Sequence, residues 1–304
     1  MKPFRFTGAR SKSIPEISLL RPGSTRHVKL YVSADMEGTA GVCAWPQVDP
    51  SNATEFAIYR RYMTLEVAAA IQGAREAVTT EVVINDAHWD MRNVLWDDLP
   101  EDVRVITGSR KPLSMAAGAE QRFDAAFFTG YHAKIGDANG ILAHTYNDDV
   151  LYNVSINGTL CSEALLNAAV LGVYGTPVVL VTGDRRIVEE TLEHLPWAVG
   201  VAVKDGIGTH AADSLVPEAA RTAIRDGARQ AIAAISAAKP FTFAPPIELL
   251  IETLRTEHAD FIELLPGFER TGGRAVRFAA DDYLTAFRAF LVATRLGGAA
   301  NRCA

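Results

Sequence analysis

Two short runs in this 304-residue chain, "AAFFTG" at 125–130 and "PVVLVTG" at 177–183, are apolar without a polar residue at every second position. A strand of that kind has no face to offer water, so it belongs in a sheet covered by helices on both sides. Helical stretches alternate with these strand-like runs. Between 51 and 77, Phe56, Tyr59, Met63, Val67, Ala70 and Ala74 recur at spacings of three and four, with Ser51 or Asn52 placed to cap the start. "CSEALLNAAVLGVYG" at 161–175 and "DSLVPEAARTAIRDGARQAIAAISAAK" at 213–239 read the same way, the latter with Pro217 in its first turn. The alternation predicts an α/β fold, a three-layer α/β/α arrangement around a mainly parallel or mixed central sheet. After about residue 205 the pattern changes to the Pro-rich "PFTFAPP", the strand-like "IELLIETL" and "RAVRFAA", and a final helix within 281–297. The expected organisation is a catalytic α/β domain over 27–205 and a smaller C-terminal α+β lobe over 206–304 packed on the same domain.

Composition narrows the classes of function. With 48% apolar and 22% charged residues the chain can bury a large core. A net charge of -6 disfavours a nucleic-acid partner, because phosphate binding requires clustered Lys and Arg. The basic segment is residues 1–26, where Lys2, Arg5, Arg10, Lys12, Arg21 and Arg26 face one acid, Glu16; it reads as a solvated N-terminal extension. No apolar run approaches the roughly 20 residues of a membrane span, and the N-terminus lacks the form of a signal peptide, so a cytoplasmic location is expected. Cys43, Cys161 and Cys303 are too few and too dispersed for a disulfide framework or a cysteine zinc site.

The polar residues that end the strands carry the functional signal. In open α/β sheets, ligands bind beyond the carboxyl ends of the strands. There "KLYVSA" is followed by Asp35 and Glu37, "VVINDA" by His88, "FFTGY" by His132, and "VSINGTLCS" by Glu163. Singly, each has a plainer reading: Asp35 as a turn former, the histidines as structural, Glu163 as a favourable charge at a helix start. Together they deliver metal-capable groups to one edge of one sheet. Three carboxylates held close repel one another. Two divalent cations balance them together with one hydroxide, which makes a dinuclear centre the expectation. The mixed carboxylate and imidazole set suits zinc, and manganese, cobalt or iron would also accept it.

"SADMEG", "INDAH", "TGYHA", "ILAHTY" and "INGTLCSEALLNAAVLG" occur here in the order seen in the DppA-type zinc-dependent D-aminopeptidases, and the chain resembles that family over roughly residues 27 to 295. The resemblance implies two Zn2+ per subunit, with Asp35 bridging, Glu37 and His88 on one ion and His132 and Glu163 on the other. It implies His144 as a catalytic histidine that holds no metal, and a homo-oligomer, possibly a decamer, enclosing the sites.

The expected function is therefore a dinuclear zinc aminopeptidase that cleaves the N-terminal, D-configured residue from short peptides or amides through a metal-bridging hydroxide, with His144 steadying the oxyanion or protonating the leaving nitrogen. The alternatives are a hydrolase of a non-peptide small amide and a non-catalytic peptide-binding or transport-associated protein. A metallophosphoesterase would need cationic groups for phosphate that this set lacks. Roles for Lys204, Asp184 and His210 stay open: Lys204 reads equally as a surface lysine, and His210 as a loop residue.

Overall fold

The computed structural model describes residues 27–301. The basic extension expected over 1–26 lies outside them. The strands are β1 (His27–Ala34), β2 (Thr79–Asp86), β3 (Arg104–Ile106), β4 (Ala125–Tyr131), β5 (Leu151–Ile156), β6 (Thr159–Leu160), β7 (Val178–Asp184), β8 (Val199–Gly208), β9 (Ala211–Ser214), β10 (Ile247–Thr253), β11 (Phe268–Gly272) and β12 (Ala275–Ala280). The helices are α1 (Trp45–Val48), α2 (Ala53–Ala77), α3 (Glu163–Val173), α4 (Arg185–His194), α5 (Pro217–Ala233), α6 (Thr256–Ile262) and α7 (Tyr283–Ala300).

A seven-stranded sheet in the order β3-β2-β1-β4-β7-β8-β9 forms the centre. All its pairings are parallel except β8 with β9. The unbroken apolar runs are explained by its two covered faces. Leu30, Val32, Ile84 and Phe127 pack on one side with Val67, Ile71 and Ile224 of α2 and α5. Tyr31, Val83 and Phe128 pack on the other with Leu165 and Ala169 of α3. Of the periodic stripe on α2, Phe56, Met63, Val67, Ala70 and Ala74 are buried, and Asn52 caps the helix by accepting the Glu55 N–H. Tyr59 instead stays half-buried and accepts a hydrogen bond from Gln47. Pro217 opens α5, where its missing N–H costs nothing.

A second, five-stranded sheet runs β11-β12-β10-β5-β6 and is antiparallel throughout. It takes β5 and β6 from residues 151–160, ahead of position 205, while α5, beyond that position, packs on α2 of the first layer. Its core is continuous with α3 and α7 through Leu249, Ile251, Phe287 and Phe290. Among the described residues no helix is long and apolar enough to cross a membrane.

Candidate metal centre

Three adjacent strands of the main sheet, β2, β1 and β4, end side by side, and their ends set the floor of the site. Asp35 follows β1 directly, His132 follows β4 directly, and His88 lies two residues beyond β2. Backbone bonds hold the edge in register: Asp35 N–H to Thr129 O at 2.9 Å, Ala87 N–H to Ala34 O at 2.8 Å, and Gly38 N–H to Gly130 O at 2.8 Å. Two glycines make the close approach possible. A Cβ on Gly38 would fall 1.8 Å from Tyr131 O, and one on Gly130, whose φ is +67°, would fall 2.2 Å from Asp35 O. Glu163 enters from the first turn of α3, which Ser162 caps through its bond from Leu165 N–H.

Asp35, Glu37, His88, His132 and Glu163 are each no more than 3% exposed, and His144 stands at the edge of a cavity of about 340 Å³ that all six line. His88 Nδ1 lies 3.0 Å from Glu37 Oε2 and 3.4 Å from Asp35 Oδ1. His132 Nε2 lies 3.6 Å from both Asp35 Oδ2 and Glu163 Oε1. His144 Nε2 is 3.8 Å from Glu163 Oε1, and its ring stacks on that of His132 at 4.2 Å. Every histidine is aimed by its second nitrogen. His88 Nε2 contacts Val48 O at 2.8 Å, His132 Nδ1 contacts Ala133 O at 3.0 Å and His144 Nδ1 contacts Leu142 O at 2.8 Å. A carbonyl accepts only from N–H, so in each neutral ring the lone pair is left facing the carboxylates.

The electrostatics are those of a cluster built around positive charge. Burial and the neighbouring Glu37 carboxylate raise Asp35 from 3.8 to about 7. Burial opposes ionisation of Glu37 and Glu163 too, but His88 and His132 outweigh it and hold both carboxyls below their usual value. Burial likewise disfavours a charged His132, yet Glu163 prevails and raises it to about 10. Asp35 Oδ2 and His132 Nε2 are fully buried with no hydrogen-bond partner. Buried polar atoms are nearly always paired, so two bare ones facing each other among carboxylates suit a cation. One donor atom each from Asp35, Glu37 and His132 falls within 4.8 Å of the others, and the same is true of His132, His144 and Glu163. The residues therefore fit a metal, and by distance alone His144 could join the second group.

Supporting residues hold this floor in place. Asp86 accepts from the backbone N–H groups of Asn93 and Val94, and Asn93 Nδ2 donates to His88 O at 2.6 Å, fixing the loop that carries His88. Asp184, at the end of β7, caps α4 through Ile187 N–H and accepts from Ala133 N–H at 3.0 Å, beside His132. Lys204 is not a surface residue: it is 2% exposed, because β8 continues past it to Gly208, and its ammonium donates to the carbonyls of Glu37, Thr39 and Val42. Glu66 of α2 accepts Ala40 N–H in the same loop at 2.9 Å. His210 lies exposed in the turn between β8 and β9, away from the cavity. Tyr131 points away from the cluster and bonds to Ser33 Oγ. The sequence reading did not single out Trp45, Trp89, Asp148, Asp149 or Arg295, which also line the cavity. None carries a local signature, since each reaches the cavity from an irregular loop, a short helix or the polar side of α7.

Residues 28–292 match a peptidase family described as D-aminopeptidase. A D-aminopeptidase of Bacillus subtilis (strain 168) is 35% identical over 277 residues, which is 91% of this chain and 100% of that protein. A solved structure described as the Zn-dependent D-aminopeptidase DppA from Bacillus subtilis, a self-compartmentalizing protease, superposes with a TM-score of 0.85 at 34% identity, covering 89% of this chain and 98% of that one. The chain belongs to the D-aminopeptidase family and is an enzyme of the metallo-aminopeptidase kind.

Proposed function

We propose that this enzyme uses two zinc ions to remove the N-terminal residue, of D configuration, from short peptides. The observation that carries the reading is the facing pair of unpartnered buried atoms, Asp35 Oδ2 and His132 Nε2, inside a ring of three carboxylates at the floor of a cavity. Asp35 lies between the two histidine groups and would be shared by both ions; Glu37 and His88 would complete one and His132 and Glu163 the other. When bound, zinc supplies a polarised substrate carbonyl and a water ionised near neutral pH. The remaining work falls to the protein. His144, tied by its Nδ1 to Leu142 O, presents Nε2 toward the cavity, where a protonated ring would donate to the developing oxyanion or to the departing nitrogen. Stacking on His132 and the edge contact of Trp45, centroids 5.4 Å apart, hold the ring in that orientation. The D preference is supported by membership in the D-aminopeptidase family, and assembly into a closed homo-oligomer, in our reading a decamer, by the self-compartmentalizing relative.

Metal analysis of the purified protein, run beside assays on matched D- and L-aminoacyl amides, tests the proposal. Two zinc ions per chain, preferential cleavage of the D series, and loss of activity in Glu37→Ala and His144→Ala are expected. Metal-free protein with full hydrolysis in both variants would overturn it. Cleavage restricted to non-peptide amides would replace the substrate, and metal binding without hydrolysis would favour a binding protein.

A further inference from the structure

Among the residues lining the cavity, one lysine or arginine is present, Arg295. It lies in the last turns of α7, where Leu291, four residues earlier on the same helical face, and the neighbouring Thr294 also line the wall. The acids of the lining are Asp35, Glu37 and Glu163 at the floor, among His88, His132 and His144, and Asp148 and Asp149 on the loop beside α7. That loop packs close to the helix, since a Cβ on Gly298 would lie 3.4 Å from Asn147 Nδ2. Even so, Arg295 has no ion-pair partner among the described residues. Elsewhere on the second sheet, Arg270 and Arg277 each hold two carboxylates. Arg295 is an exposed guanidinium at the cavity wall with its donors open.

A short peptide brings the complementary group. If its N-terminal residue is held at the metal floor, the departing part runs toward the mouth and ends in a carboxylate. The cavity, of about 340 Å³ and open to solvent, has room for a short peptide, each residue of which spans about 3.5 Å when extended. Away from the metal floor, Asp148 and Asp149 repel a carboxylate and Arg295 attracts it, its planar fork matching the carboxylate with two parallel N–H donors. We propose that Arg295 reads the free C-terminal carboxylate of a short peptide substrate, so that the enzyme selects very short free-acid peptides over longer or C-terminally capped ones. The assignment rests on the aminopeptidase reading of the metal floor.

The test compares D-alanyl-L-alanine with D-alanyl-L-alanine amide as substrates of the zinc-loaded enzyme. Binding of the departing portion is measured separately, by calorimetry with glycylglycine and glycylglycine amide. The native enzyme should favour the free acids in both experiments. Arg295→Gln should lose about tenfold or more in kcat/KM for the free acid, chiefly through KM, and leave the amide within about twofold. Arg295→Lys should recover part of the loss. Equal losses on acid and amide would mean that Arg295 only offsets Asp148 and Asp149, and would overturn the proposal, as would equal binding of the two glycyl peptides. Selective binding of the free acid without hydrolysis of either substrate would uphold Arg295 and overturn the aminopeptidase reading instead.

Discussion

Replacing Lys204 by Met keeps most of the aliphatic stem and removes the ammonium that gathers the carbonyls of Glu37, Thr39 and Val42. Two effects oppose each other. Burial lowers the Lys204 pKa from 10.5 to about 8, against the attraction of Asp184, Glu66 and Glu37, so carrying the charge costs the folded protein about 3 kcal/mol, which Met recovers. Against that, three inward carbonyls lose their donor at about 2 kcal/mol each, about 6 kcal/mol in all. The loss exceeds the gain, and Lys204→Met should destabilise the metal-free protein by about 3 kcal/mol, or about 5 °C in Tm for a chain of this size. The slackened loop is the one that carries Glu37, so zinc affinity should also fall, by about 10–100-fold. Denaturant unfolding of the metal-free variant and zinc titration against a chromophoric chelator measure the two separately. Unchanged stability together with unchanged zinc affinity would refute the reasoning. A loss of stability alone would show that Lys204 holds the core but not the geometry of the site.

Three further outcomes are expected. Gly38→Ala puts a Cβ 1.8 Å from Tyr131 O, backbone that cannot swing aside, so the loop must lift from β4 at a cost of about 1–3 kcal/mol; native stability and zinc content in that variant would contradict the packing described. Burial, opposed by Ala40 N–H and Lys204, raises Glu66 from 4.5 to about 7, so the folded state binds the extra proton. Its stabilising contribution is complete below pH 4.5 and is lost as pH rises through about 7, amounting to about 3 kcal/mol. Glu66→Gln should therefore gain on the native protein by that amount across this window in denaturant midpoints, and a constant difference would refute it. Zinc at about 100 times its Kd should stabilise the metal-free protein by about 2.7 kcal/mol, reversed by a chelator and absent in Glu37→Ala by calorimetry.

The sheet and its covering helices were legible because their signals are local. The unbroken apolar runs at β4 and β7, the stripe on α2, the cap at Asn52 and Pro217 in the first turn of α5 each act within a few residues. The sharing of the second sheet by β5, β6 and the C-terminal strands was not legible, since antiparallel pairing of Ile156 with Leu249 joins segments about ninety residues apart and leaves no mark on either. Lys204 was ambiguous for the same reason: its burial depends on the extension of β8 beside β7 and on a loop more than 160 residues earlier in the chain.

What the sequence by itself determined is the inventory of the floor: which strands end in acids and imidazoles, and that three carboxylates at one edge call for positive charge. A strand delivers its next residues to the sheet edge whatever surrounds it, so Asp35, Glu37, His88 and His132 could be placed from their own segments. Tertiary structure decided what those groups face. The carbonyls that aim each histidine, the buried ammonium under the Glu37 loop and the single guanidinium of α7 in the cavity wall come from pieces of chain far apart in sequence. Their positions follow from how the layers pack, and packing is settled by the whole core at once.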